Sequence, residues 1–181
     1  MDLFLLLVFF HVLGAVGMFA AWGIEAVALG QLRRVATADQ ARAWMGLRRN
    51  AAPLGAGGML SALVTGLWMM GVRWGPRPWM MAALAGLVII VVIGVAFDRR
   101  ATPRLLAALA GRPERLPAIV HAAHATLAAS LRLRVALGVA ILGLMTLKPG
   151  VPGSLAVLAA GLMLGLGAAV GAGRRWTPAT T

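Results

Sequence analysis

Residues 3–30 read LFLLLVFFHVLGAVGMFAAWGIEAVALG. No formal charge occurs between Leu3 and Ile24, and a helix of that length crosses a hydrocarbon core of about 30 Å. The stretch nevertheless holds His11 and, just beyond, Glu25. Ionisable groups are costly at membrane depth, so each needs a physical reason. His11, Met18 and Glu25 are spaced by sevens and project from nearly one helix face, with Gly14, Ala15 and Trp22 on or beside it. That face is expected to meet other helices rather than lipid. The segment lacks a basic lead, and its apolar run exceeds the usual 7–15 residues of a leader core, so it reads as a retained span.

The same pattern recurs along the chain. Apolar runs cover 51–72, 78–97 and 152–173, and a less regular one covers 117–148. The irregular run joins a segment carrying His121 and His124 to the apolar Val135–Leu147, with Arg132 and Arg134 between them. A single long helix accommodates both halves if the two arginines snorkel to the headgroups. The expected fold is therefore all-α, a polytopic transmembrane bundle of five spans, or four if the last is peripheral, forming one domain.

Composition agrees. The chain is 61% hydrophobic and 12% charged, about half the charged fraction of a soluble domain. The net charge of +12 does not imply nucleic acid, because the basic residues sit between apolar runs, where topology demands them. The expected partner is the lipid bilayer. Cysteine is absent, which excludes disulfides, thiolate metal sites and thiol catalysis. Phosphate-binding loops, nucleophile elbows and zinc-protease motifs are missing as well.

Orientation follows from the 17 basic residues. Arg73, Arg77 and Lys148 fall at one end of the spans; all the others, from Arg33 to Arg175, fall at the opposite end. The positive-inside rule puts the arginine-rich end in the cytoplasm. The N-terminus is then outside and the C-terminus inside, which needs an odd number of spans.

Local signals mark the connections. Thr37-Ala-Asp-Gln40 has the form of a capping box leading into the second span. Thr102-Pro103 predicts the start of a separate short helix running to Ala110. Residues 112–117 predict a turn before the fourth span. Trp68, Trp74 and Trp79 flank the tight loop 73–78, as an interfacial aromatic belt would. Gly161 and Gly165 form a small-xxx-small face suited to close helix contact, within this chain, in a homo-oligomer or with a partner membrane protein.

The candidate chemistry lies on few residues. A neutral His11 can ligate haem iron or a metal, or relay a proton; equally, it can bond Ser61, Thr65 or a backbone carbonyl and tie two helices together. Glu25 can neutralise Arg48 or Arg134, or shuttle protons. His121 and His124 share a face near the arginine-rich surface, a spacing that suits two metal ligands or two interfacial polar groups. Lys148, the sole lysine, can snorkel or join His11 in a pocket in the outer half. Met69, Met70, Met80 and Met81 recur across the loop, where thioethers can bind Cu(I) or simply fill space.

Phe10-His11-Val-Leu-Gly14, the arginine-rich first connection and Leu144-Met-Thr-Leu-Lys148-Pro149-Gly150 together resemble an uncharacterised bacterial family of integral membrane proteins. More distantly, the chain is similar to copper-resistance D-type proteins and membrane protoporphyrinogen oxidases. The resemblance implies a multi-pass protein of the bacterial inner membrane. Through the oxidase group it implies haem b held by a first-helix histidine, for which His11 is the matching position; the chain departs from that group in that Lys148 closes the fourth span instead of lying inside a helix, and a haem at His11 would be expected to bring a propionate near it. Three functions are thus expected: a non-enzymatic membrane protein with a small-ligand site in its outer half, a haem-b redox protein using His11, or a copper handler using the methionines.

Overall fold

The computed structural model describes residues 2–110 and 116–173. Among these the chain is helical apart from short turns: α1 (Leu3–Leu32), α2 (Ala38–Met69), a π-helical turn (Met70–Trp74), α3 (Pro78–Ala110), α4 (Leu116–Leu147) and α5 (Val151–Gly173). Five helices are long and apolar enough to cross a membrane. The expected turn at 112–117 falls mostly, and the tail carrying Arg174 and Arg175 wholly, outside the described residues.

Capping sets the helix starts. The Asp2 carboxylate accepts from the Phe4 N–H at 3.0 Å. Thr37 Oγ1 accepts from the Gln40 N–H at 3.3 Å, while Gln40 Oε1 accepts from the Ala36 N–H at 2.9 Å. The capping box therefore forms, with Gln40 reaching one residue further back than the simplest pattern. Thr102-Pro103 does not start a helix. It lies inside α3, which runs unbroken to Ala110. Pro103 removes one helical hydrogen bond, but Leu105 and Leu109 beyond it are fully buried and hold the segment in line.

At 1.5 Å per residue, α2, α3 and α4 are each about 48 Å long, well beyond a hydrocarbon core of about 30 Å. The excess projects at the arginine-rich end, because the opposite end is closed by the tight turns at Gly75 and Lys148. Gly75 adopts φ 63° and ψ 178°, a conformation open essentially to glycine alone. In the projecting part Leu29, Leu32, Ala41, Leu105, Leu109 and Leu127 form a dense apolar core. Around the rest of the bundle, side chains such as Leu5, Val16, Val64, Val92 and Leu164 are exposed, as a lipid-facing surface requires.

Two units make up the bundle. α1 lies along α2, and α4 lies between α3 and α5. The α1–α2 pair meets backbone to backbone: a Cβ on Gly58 would stand 2.5 Å from the Gly14 carbonyl oxygen, and one on Gly14 would stand 2.6 Å from the Gly58 carbonyl oxygen. Gly161 and Gly165 face α4 of the same chain, where added Cβ atoms would meet Ala140 Cβ at 2.6 Å and Leu133 Cα at 3.0 Å. These two glycines are thus in contact within the chain itself. Trp22 joins the two units by packing on Gly138 of α4. α2 and α3, although consecutive, scarcely touch. A cleft of about 980 Å³ lies between them.

Candidate functional site

The ends of the helices give the site its level. Opposite the arginine-rich end, Phe4 stacks edge-on with Trp74 at 5.5 Å between centroids, and Trp74 stacks with Trp79 at 6.2 Å. Lys148 Nζ lies 5.9 Å from both indole rings. Counting 21 residues from Phe4 along α1 and 19 from Trp79 along α3, or about 30 Å, reaches Glu25 and Asp98, and Arg48 of α2 lies between them. Three charged residues from three helices thus meet.

They are bonded to one another. Glu25 Oε1 accepts from Arg48 Nε at 2.9 Å and from Arg134 Nη2 at 2.8 Å. Arg48 Nη2 also donates to Asp98 Oδ1 at 2.6 Å, and its Nη1 donates to Thr102 Oγ1 at 3.4 Å. The Arg134 backbone lies one to two turns deeper than this level. Its side chain turns inward to Glu25 instead of snorkelling outward, and it is buried. Glu25 is buried too, whereas the Asp98 side chain is 38% exposed. Two cations and two anions therefore tie α1, α2, α3 and α4 together. Charges this deep are tolerable only when paired and hydrogen-bonded.

The cluster caps the cleft between α2 and α3. Apolar side chains from both helices, among them Met59, Ile90, Val91 and Val95, wall the cleft, and Trp22 closes its back. At the charged end Arg42, Arg49 and Arg99 join Arg48 and Arg134 on its lining. Arg42 pairs with Asp39 and donates to the Leu109 carbonyl at 2.6 Å. Arg49 and Arg99 are exposed and pair with no carboxylate among the described residues. Arg134 Nε is buried with no acceptor.

His11 lies elsewhere, at the α1–α2 contact about 10 Å inward from Phe4 along α1. Its Nδ1 is 2.8 Å from the Ala62 carbonyl oxygen and 3.3 Å from Thr65 Oγ1. A carbonyl can only accept, so Nδ1 carries a proton and donates it to Ala62. The ring lies over Gly66, where a Cβ would stand 3.1 Å from His11 Cε1. Thr65 Oγ1 donates to the Ser61 carbonyl at 2.6 Å, and Ser61 Oγ donates to the Phe10 carbonyl at 3.0 Å. His11, Ser61 and Thr65 thus come together. Lys148 does not join them, because its contacts are the two indoles. It is also the only non-glycine residue with positive φ among those described, at 48°, in the turn closing α4.

The methionines disperse. Met70 and Met80 pack with Trp79 in one apolar cluster, Met69 is buried, and Met81 is 49% exposed. Trp79 itself is buried against that cluster, and of the three tryptophans proposed for the belt only Trp68 is exposed. His121 and His124 are half-buried on α4, and the charges of Arg33 and Arg132 act on His124. No group of three or more His, Asp or Glu residues able to hold a metal occurs among the described residues.

Sequence reasoning names Glu25, Arg48 and Arg134 but misses Asp98, Thr102 and the cleft itself. Asp98 carried a signal: it is one of only five acidic residues and stands where an apolar run ends. Counting it against Arg48 along neighbouring spans would have placed the two level. No protein-family model, curated protein or solved structure matches the chain.

Proposed function

We propose that this protein is a non-enzymatic, multi-pass protein of the bacterial inner membrane that holds a small amphiphilic ligand between α2 and α3. The observation that carries this reading is the cleft: apolar walls along two helices that scarcely touch, ending in a cluster of charges at headgroup level. Apolar walls with a few convergent polar groups are the usual make-up of a ligand site. The polar groups there are guanidinium and carboxylate groups and the Thr102 hydroxyl, bonded to one another, an arrangement that suits binding. The site lies at the arginine-rich end, not in the half containing His11 where the sequence suggests one.

The test uses Gly94, which lines the cleft with no side chain of its own. A Cβ there would make only ordinary contact, 3.5 Å from Arg134 Cδ, so Gly94→Leu fills the cleft with little distortion of the backbone. Solvent extraction of the purified full-length protein, followed by mass spectrometry, should recover about one amphiphile per chain from the wild type and none from the variant. Equal recovery from both, or none from either, would reject the reading.

A second reading has one observation in its favour. With Nδ1–H given to the Ala62 carbonyl, Nε2 is the nitrogen of His11 left to serve as a ligand, supported by a backbone acceptor as ligating histidines usually are. His11 would hold the iron of haem b, which would supply one-electron chemistry there. An absorption band in the Soret region that shifts with dithionite and is lost in His11→Ala would support it. A colourless protein would leave His11 as a tie between α1 and α2.

A further inference from the structure

The binding reading leaves the nature of the ligand open, and the arginines narrow it. Five of them line the charged end of the cleft against Glu25 and Asp98. A guanidinium offers five N–H donors, and the carboxylates present do not occupy those of Arg48 and Arg134: Arg134 Nε is buried without an acceptor. Gly94 of α3 packs over that atom, a Cβ there standing 3.9 Å from it. Arg49 and Arg99 add two cations at the mouth that no carboxylate neutralises among the described residues. The cluster is therefore short of negative charge and of hydrogen-bond acceptors.

Depth identifies what could supply both. Glu25 and Asp98, which Arg48 joins, sit about 30 Å along their helices from the opposite aromatic shelf, the thickness of a hydrocarbon core. Lipid phosphates lie at that level, and acyl chains run from it along the direction of the cleft walls. Basic pockets between membrane helices are built to take anionic headgroups. Guanidinium groups match phosphate oxygens in geometry as well as charge.

We infer that the ligand is an acidic phospholipid from the leaflet at the arginine-rich end, its phosphate held by Arg49 and Arg99 at the mouth of the cleft and its acyl chains lying between α2 and α3. This inference rests on the cleft being a ligand site. Arg48 stays with Glu25 and Asp98 and holds the floor on which the phosphate rests.

The test is native mass spectrometry of the full chain in a neutral detergent, with equimolar phosphatidylglycerol and phosphatidylcholine. The wild type should retain phosphatidylglycerol about thirtyfold over phosphatidylcholine, the preference two interfacial arginines can provide. The exposed double variant Arg49→Gln/Arg99→Gln should fold normally and lose most of that preference. Gly94→Leu, with its charge unchanged, should retain neither lipid. Equal retention of both lipids by the wild type would overturn the inference while leaving the cleft a ligand site. Retention of neither would reject the ligand site itself. Full selectivity in either variant would mean that the lipid binds elsewhere on the surface, and that too would overturn the inference.

Discussion

At the scale of single residues, Glu25 is the group on which the most depends. One of its oxygens accepts from two arginines on two helices, and it is buried while doing so. Removing one partner of a buried ion pair costs about 3–5 kcal/mol, because the remaining charge stays behind without compensation. Glu25→Ala strands Arg134 in that way. Asp98→Ala does not, because Asp98 is partly exposed and Arg48 retains Glu25; its loss should cost about 1 kcal/mol or less. Thermal unfolding in detergent should therefore show a large drop for Glu25→Ala and a small one for Asp98→Ala. Equal drops would mean that the cluster does not hold the helices together as its geometry indicates. Glu25 was legible in the sequence because a carboxylate in an apolar helix demands a cation, and counting levels offered two. Asp98 was not, because Asp98-Arg99-Arg100 also reads as the ordinary polar end of a span.

At the scale of elements, contact between helices is decided by glycines whose hydrogens face a neighbouring backbone. Gly14 and Gly58 each leave room for the other's carbonyl oxygen. Backbone cannot move aside as a flexible side chain can, so a single methyl at this crossing forces α1 and α2 apart. Gly58→Ala should lower the unfolding midpoint sharply and loosen the His11–Ala62 hydrogen bond a turn further along. The adjacent Gly57 meets nothing within 4 Å. There the same substitution should be neutral or add up to about 1 kcal/mol through helix propensity. Circular dichroism melts of the two variants, side by side, test the crossing; matching melts would show that the helices do not meet at Gly58. The existence of the helices was readable from apolar runs, and the start of α2 from the capping box at Thr37; the end of α3 was not. The partners of the helices were less readable. Gly161 and Gly165 announce a close contact without saying with what, since a small residue carries no address. Thr102-Pro103 misled because capping chemistry is local, whereas burial of Leu105 and Leu109 is set by helices far away in sequence.

At the scale of the whole molecule, an α1–α2 pair and an α3–α4–α5 unit meet through Trp22 on Gly138 and through the charged cluster, and the gap left between α2 and α3 is the cleft. Such a gap cannot be read from hydropathy, which reports that helices are apolar but not which pairs fail to touch. What gives it a biological side is orientation. The acidic-lipid reading requires the arginine-rich end to face the leaflet that supplies the headgroup, and the bias of basic residues assigns that end to the cytoplasm. The chain contains no cysteine, so a single introduced thiol reports alone. Pro76 lies exposed in the turn between α2 and α3, and Ala36 lies exposed just before α2 at the opposite end. In intact spheroplasts a membrane-impermeant maleimide should label Pro76→Cys and spare Ala36→Cys, and lysis should expose both. The reverse pattern would place five arginines of the cleft on the outer face. It would exclude the cytoplasmic leaflet as the source of the lipid, and it would require the surplus of arginine at that end to arise from ligand binding alone, since topology would then argue against it.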